Sequence, residues 1–177
     1  SRTYPNLMTQ EGIAGDETRP TNEQTLTILF TRMLAGAGDN TICYYDPRVA
    51  ENACHAYQLA KAVCIYSPWQ FVFWYDRPGT SPRDKGGAGG GKHLIGDGPE
   101  LEFFARVPTV WDETRVLHGK IGQYVVIARR SGDDWFLGAM NGPEPRELTI
   151  ALDFLDPAKR YTAHIYSHDE SVPTRTH

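Results

Sequence analysis

Hydrophobic positions in the first hundred residues follow two helical repeats, each next to a short apolar run. The first repeat is capped by Thr21 and ends at the glycines of residues 36–38, with these residues on one helix face: Leu26, Leu29, Phe30, Met33 and Leu34. The second repeat covers residues 46–67. Short strands are predicted at Asp39–Tyr45 and at Phe71–Tyr75, and the second is apolar throughout, as in a strand covered on both faces. This alternation of helices and strands predicts an α/β unit with parallel strands.

The pattern changes its period after Pro108, beyond a glycine-rich loop at residues 79–98 and a short helix that starts at Pro99. Short β-rich runs, separated by turn residues, are then predicted as strands: Arg115–Gly119, Gln123–Arg130, Trp135–Met140, Glu147–Leu152 and Tyr161–Tyr166. Glycine-containing turns join the first three as antiparallel hairpins. The sequence therefore predicts an α/β domain over residues 1–105 and an antiparallel all-β domain over residues 106–177.

The composition excludes several classes of protein. The 177 residues are 40% hydrophobic and 23% charged, which is typical of a globular protein. The net charge of −4 and the lack of an arginine-rich run argue against binding to nucleic acid. The longest apolar run has five residues, far fewer than a membrane-spanning helix needs, so no membrane partner is expected. The cysteines Cys43, Cys54 and Cys64 lack the CxxC spacing of a zinc site and are predicted to be buried thiols.

Two carboxylates near the start of the chain are the strongest candidates for chemistry. Glu11 and Glu17 stand six residues apart, with glycines between them, after a predicted strand end. In α/β folds, ligands bind beyond the carboxyl ends of strands, where loops carry the catalytic groups. One carboxylate can then bind a hard cation such as Ca²⁺ while the other acts as a general acid. The alternative is a solvated acidic loop before a helix N-terminus, which favours carboxylates.

Asp39 and Trp69 are further candidates for contacts with a substrate. Asp39 follows a glycine-containing turn at the mouth of a predicted strand, and an ordinary turn aspartate is an equal alternative. Trp69 lies beside the apolar run at residues 71–75 and can stack on a sugar ring, although such aromatic residues more often belong to a core. The charged segment Trp111–Arg115 is interpreted as a clasp at the subdomain boundary, held by an arginine–carboxylate pair.

Longer stretches of the sequence carry a family resemblance, and the most specific are three: Arg2–Gly12 (RTYPNLMTQEG), Phe30–Gly36 (FTRMLAG) and Val107–Leu117 (VPTVWDETRVL). Together they resemble glycoside hydrolase family 97. The likeness continues through residues 124–130 and 135–138 in the family's order, so it covers nearly the whole chain. It implies a multidomain carbohydrate enzyme in which a central (β/α)8 barrel lies between two β-sandwiches. Residues 1–105 then correspond to the end of that barrel, and residues 106–177 to the C-terminal antiparallel β-sandwich.

The same resemblance implies roles for the two carboxylates. Glu11 is expected to ligate Ca²⁺, and Glu17 is expected to be the general acid that protonates the leaving glycosidic oxygen. The implied substrates are oligosaccharides or glycosides with α-glucosidic or α-galactosidic bonds. The family resemblance also implies a periplasmic or secreted parent protein, although residues 1–6 show no signal-peptide pattern.

The resemblance covers only the last portion of the family's proteins. Hydrolysis of a glycoside needs two carboxylates that flank one bond. The second catalytic carboxylate and further calcium ligands are expected on barrel strands that this sequence does not contain. The uncovered edges of a partial barrel predict self-association or pairing with a missing N-terminal part. The rival interpretation is a non-catalytic carbohydrate-binding or assembly module, in which the aromatic β half is the functional part.

Overall fold

Parallel strands and an intervening helix form the first half of the fold. The computed structural model describes residues 8–10, 12–13, 20–43, 54–73, 99–169 and 171. Strand β1 (Asn40–Cys43) pairs in parallel with β2 (Gln70–Phe73), and helix α2 (His55–Cys64) connects them in sequence. Gln10 adds a parallel bridge to Gly38, on the chain just before β1. The described residues therefore confirm the predicted parallel strands, without showing the closed barrel that the resemblance implies.

The first predicted helix is shorter than its hydrophobic pattern indicated. Helix α1 (Asn22–Ile28) begins as predicted, because the Thr21 hydroxyl accepts a hydrogen bond of 3.1 Å from the amide three residues later. The helix then gives way to a 3₁₀ helix at Arg32–Ala35. At this transition the Thr31 hydroxyl donates to the Thr27 carbonyl over 2.8 Å, and side-chain bonds of this kind bend helices. The prediction of one continuous helix to residues 36–38 was therefore wrong.

Helix α2 lies between two packing layers. Tyr57 and Cys64 on one side belong to a core that lies against the antiparallel sheet. The other buried members of this core are Leu26 of α1 and three sheet residues, Val125, Ile127 and Met140. Leu59 and Ala62 on the other side pack with Ile42 of β1. The helix ends at Cys64, three residues before the predicted end, because Ile65 has extended backbone angles. The predicted start at residue 46 lies outside the described residues.

The second half is an antiparallel sheet of three strands in the order β3-β4-β5. These strands, β3 (Glu113–Lys120), β4 (Tyr124–Ser131) and β5 (Asp134–Asn141), confirm the first three β-rich runs. Gly122 and Gly132 have φ values of 71° and 59°, in the left-handed region that the two hairpin turns require. One face of the sheet packs on α1 and α2. This arrangement joins the two halves through a common core.

The predicted strands at residues 147–152 and 161–166 were wrong, because neither run forms a strand. The contacts of this part of the chain with the outer face of the sheet come from residues 149–154. Phe154 packs on Trp135 with ring centroids 4.7 Å apart, and a ring nitrogen of His118 lies 3.1 Å from the Thr149 carbonyl. The sheet and this covering segment fit a C-terminal β-sandwich whose second layer has no paired strands among the described residues.

Strand β2 is more exposed than its apolar sequence predicted. Phe71 is 51% exposed and Val72 is 40% exposed, because β2 has a neighbour on one side only in the described part of the chain. Helix α3 (Pro99–Arg106) starts at Pro99 as predicted. The glycine-rich loop at residues 79–98 lies outside the described residues, and the division at residue 105 stays a prediction. None of the helices over the described ranges is long and apolar enough to cross a membrane.

Candidate functional site

The two carboxylates singled out from the sequence, Glu11 and Glu17, lie outside the described residues. Their immediate frame is described: Gln10 and Gly12 flank Glu11, and Ile13 follows. This frame lies beside the turn that leads into β1. The described residues contain no group of three or more side chains that could hold a metal ion. A carboxylate fits the hard-oxygen preference of Ca²⁺, and the role of Glu11 as a calcium ligand stays a prediction.

Arg32 is the residue that holds this frame together, and the sequence did not single it out. Its Nη2 donates to the Gln10 carbonyl over 2.9 Å, and its Nη1 donates to the Gly36 carbonyl over 3.2 Å. The Gln10 carbonyl also accepts from the Asp39 amide over 3.1 Å. Two donors therefore meet the carbonyl that directly precedes Glu11, and a carbonyl oxygen has two lone pairs to satisfy them.

Two glycines allow the chain to pack closely at this point. A Cβ built on Gly38 would lie 2.9 Å from Cγ1 of Ile13 and closer still to its Cδ1, so only glycine leaves room for the isoleucine. Gly12 has a φ of 119°, a conformation that other residues rarely adopt. The space next to the glycine that precedes Asp39 is thus filled by Ile13 of the chain itself.

Asp39 lies next to this frame, immediately before β1. Its carboxylate oxygen Oδ1 accepts a hydrogen bond from the Thr9 hydroxyl. The next side chain, Asn40, is 1% exposed and donates to Oε1 of Gln70 over 3.1 Å. Asp39 is therefore close to the backbone that carries Glu11, and its predicted contact with a substrate stays a prediction.

Trp69 lies next to Asp39 on the neighbouring strand, because the parallel register places Asn40 opposite Gln70. It immediately precedes β2, at the amino end of that strand, whereas ligands of α/β sheets bind beyond the carboxyl ends. Its indole is 56% exposed and stacks on Phe71, with ring centroids 5.7 Å apart and an interplanar angle of 28°. The structure therefore brings the backbone of Trp69 next to that of Asp39 at the amino ends of both strands, and a role in substrate binding stays a prediction for Trp69 as well.

A small pocket lies behind Gly12 and Ile13. It contains Lys61 of α2, which is only 2% exposed although lysine is rarely buried. The other lining residues are Pro20, Gln24, Thr25, Ile28 and Ile65. A lysine within the apolar repeat of α2 was a signal in the sequence for a buried polar side chain at this pocket.

The junction between the halves uses a different arginine from the one expected. The predicted clasp at Trp111–Arg115 stays on the sheet surface, where Arg115 pairs with Glu113 over 2.6 Å. Arg129 of β4 makes the crossing contact instead: its Nη2 donates to the Cys64 carbonyl at the end of α2 over 3.1 Å. Arg129 is 5% exposed, and burial lowers its pKa. Its cation lies over the Trp111 ring at 5.7 Å, an arrangement that favours a cation–π contact.

Comparisons with known proteins agree with this architecture. Residues 110–177 match a family model described as "Glycosyl-hydrolase 97 C-terminal, oligomerisation". The "Retaining alpha-galactosidase" of Bacteroides thetaiotaomicron is 32% identical over 94% of this chain and 25% of its own length. A "Probable retaining alpha-galactosidase" of Streptomyces bingchenggensis is 34% identical over 77% of this chain and 20% of its own length.

A solved structure gives the same result for the fold. A glycoside hydrolase family 97 enzyme from Pseudoalteromonas sp. strain K8, in complex with panose, superposes with a TM-score of 0.72 and 29% identity. The match covers 99% of this chain and 27% of that chain. The matched proteins are glycoside hydrolases, and this chain corresponds to the C-terminal part of such proteins. The chain belongs to glycoside hydrolase family 97, and it spans about a quarter of the length of the first curated relative.

Proposed function

We propose that this chain supplies one side of the active site of a calcium-dependent glycosidase that cleaves α-galactosidic or α-glucosidic bonds. Glu17 is the general acid, and Glu11 is a calcium ligand. The 32% identity to a retaining alpha-galactosidase across 94% of the chain is the observation that carries this proposal. The second catalytic carboxylate belongs to barrel strands outside this sequence, because hydrolysis needs a carboxylate on each side of the bond.

The two proposed roles require different protonation states of the two carboxylates. When bound, Ca²⁺ supplies positive charge that favours an ionised Glu11. The acid must instead stay protonated until the bond breaks, which requires a pKa raised by an enclosed site. Glu17 then gives its proton to the glycosidic oxygen as that oxygen leaves the sugar. The described frame bears on Glu11 alone, because Arg32 bonds to the Gln10 carbonyl directly before it.

The test combines this chain with the remaining N-terminal part of the Bacteroides relative and compares two α-galactosides. p-Nitrophenyl α-galactoside has a good leaving group and needs little help from an acid, whereas melibiose has a poor one. Glu17→Gln should therefore lower kcat/KM on melibiose by roughly 10²- to 10⁴-fold, the range for general acid catalysis, and much less on the nitrophenyl substrate. The matched control is Glu147→Gln, an exposed glutamate in the C-terminal half, which should change neither rate. Full activity of Glu17→Gln on melibiose would refute the acid role.

A second candidate function is assembly, and it can coexist with the first. The matching family model for residues 110–177 is described by oligomerisation. The covering segment of the sheet exposes large apolar side chains: Leu148, Leu152, Tyr161 and Ile165, the last of which is 84% exposed. Apolar surface of this kind is typical of protein contacts, and we propose a second copy of this chain as the partner.

Sedimentation velocity of the chain tests the assembly function. Wild type should sediment as an oligomer, and Leu152→Asp together with Ile165→Asp should shift it to a monomer. Leu34→Asp is the control, because Leu34 is 73% exposed but lies outside residues 110–177. A monomeric wild type, or an oligomer that survives the double substitution, would refute this surface as the contact.

A further inference from the structure

Two consecutive arginines of β4, Arg129 and Arg130, have opposite surroundings because neighbouring side chains of a strand point to opposite faces of the sheet. The Arg130 guanidinium pairs with Asp112 and Glu113 at N–O distances of 3.4 Å each. Arg129 points to the inner face and is 5% exposed, and no carboxylate pairs with it among the described residues. Buried charges are ordinarily paired with an opposite charge. The surroundings of Arg129 therefore favour an anion.

The contacts of Arg129 leave one of its buried N–H groups without an acceptor. Nη2 donates to the Cys64 carbonyl at the end of α2 over 3.1 Å. The guanidinium carbon lies 5.6 Å from the centre of the Tyr66 ring and 5.7 Å from that of the Trp111 ring, and both rings attract the charge. The Nε atom is buried, and no described residue accepts its hydrogen bond. This N–H is therefore available to a ligand atom.

Trp111 brings a second buried donor to the same cluster. Its indole Nε1 is also buried without an acceptor among the residues that the structure describes, whereas buried indole N–H groups usually find a partner. Phe136 holds the ring by an edge-to-face contact with centroids 5.4 Å apart. Because the guanidinium carbon of Arg129 lies 5.7 Å from the centre of the indole, one acceptor of ionic size can receive hydrogen bonds from both groups.

We propose that Arg129 and Trp111 form a binding site for a single halide ion, with chloride as the ordinary ligand. A halide supplies the negative charge that Arg129 lacks and accepts from both N–H groups. A water molecule could accept the same hydrogen bonds, but it would leave the charge unpaired and its own protons would need acceptors. The site lies where β4 meets the end of α2, so the bound ion should stabilise the junction between the two halves of the chain.

Thermal unfolding at constant ionic strength tests the site, with sodium chloride replacing sodium gluconate, whose anion is too large for it. A ligand that binds only the folded protein stabilises it, and at ten times the Kd the Tm should be roughly 3–6 °C higher. Trp111→Phe keeps an aromatic ring but removes the N–H, so it should lose most of this rise. The matched control is Arg130→Lys, which should keep it. An equal rise in Trp111→Phe, or no rise in wild type, would overturn the proposal.

A crystal of the wild-type chain grown in sodium bromide locates the ion directly, because bromide scatters X-rays anomalously. We expect an anomalous peak within hydrogen-bonding distance of Nε of Arg129 and Nε1 of Trp111. A water molecule at that position, or no peak at all, would overturn the proposal. A bromide peak beside a Tm that does not respond to chloride would show an adventitious ion only, and would overturn it as well.

Discussion

Gly138 lies where β5 crosses α2, and a side chain at this position should weaken the contact between the two halves of the chain. A Cβ built there would lie 2.7 Å from Sγ of Cys64, 3.0 Å from the carbonyl oxygen of Ala60 and 3.0 Å from Cβ of Val63. The carbonyl belongs to helix backbone, so it cannot yield unless α2 shifts. We therefore expect Gly138→Ala to destabilise the protein although alanine is the better residue for a strand.

The magnitude follows from two opposing terms. Overpacking a well-packed core costs about 1–3 kcal/mol. Alanine regains about 0.5–1 kcal/mol, because glycine loses more backbone freedom on folding. The net loss in the free energy of unfolding should be about 0–2.5 kcal/mol, and a loss of about 1 kcal/mol lowers the Tm by roughly 2–4 °C for a chain of this size.

Urea unfolding followed by tryptophan fluorescence measures this loss. Gly132→Asn is the control, because a Cβ there meets nothing within 4 Å and asparagine tolerates the φ of 59°. A double-mutant cycle with Cys64→Ala sharpens the test, because removing Sγ takes away the nearest clash and should restore about 0.5 kcal/mol or more. A Gly138→Ala protein as stable as wild type, with no coupling to Cys64, would refute the close packing of β5 on α2.

The remaining predictions concern the junction and the first helix. Burial raises the pKa of Cys64 from 9.0 to about 12, so the contribution of the neutral thiol to the free energy of unfolding is complete below pH 9 and falls as the pH rises toward 12. Urea unfolding should therefore show a free energy of unfolding that falls more steeply at alkaline pH in wild type than in Cys64→Ala. Parallel curves for the two proteins would contradict this. Arg129→Lys should cost about 2 kcal/mol by the same assay, because an ammonium cannot both reach the helix carbonyl and stack between aromatic rings, whereas Arg130→Lys, on the sheet surface, should cost under about 1 kcal/mol. Thr21→Ala should remove about 1 kcal/mol with the loss of its cap, and an unchanged urea midpoint would show that the cap adds nothing.

The elements that were predicted correctly have signals within a few residues. Thr21 caps α1 because its hydroxyl accepts a hydrogen bond from an amide three residues later. Gly122 and Gly132 form the hairpin turns because glycine readily adopts the positive φ that these turns require. The failed strand predictions depend on distant contacts, whereas the break after α1 goes with a local bond from the Thr31 hydroxyl to the Thr27 carbonyl. The runs at residues 147–152 and 161–166 have the composition of strands, but neither forms a backbone ladder among the described residues. The first contacts the sheet through the Thr149 carbonyl, and the second packs Tyr166 on Phe103 of α3.

The residues of the candidate site differ in the same way: some are indicated by a local sequence pattern, and others are found only from distant contacts in the fold. The spacing of Glu11 and Glu17 and their position after a predicted strand end are properties of a short segment, so the sequence could indicate them as candidates. Arg32 could not be found in that way, because an arginine in a helical repeat ordinarily points to solvent and only the fold brings it to Gln10. A carboxylate can bind a cation on its own, but an affinity that is set by geometry requires its backbone to be held. The residues that hold it are therefore the part of such a site that a one-dimensional pattern does not contain.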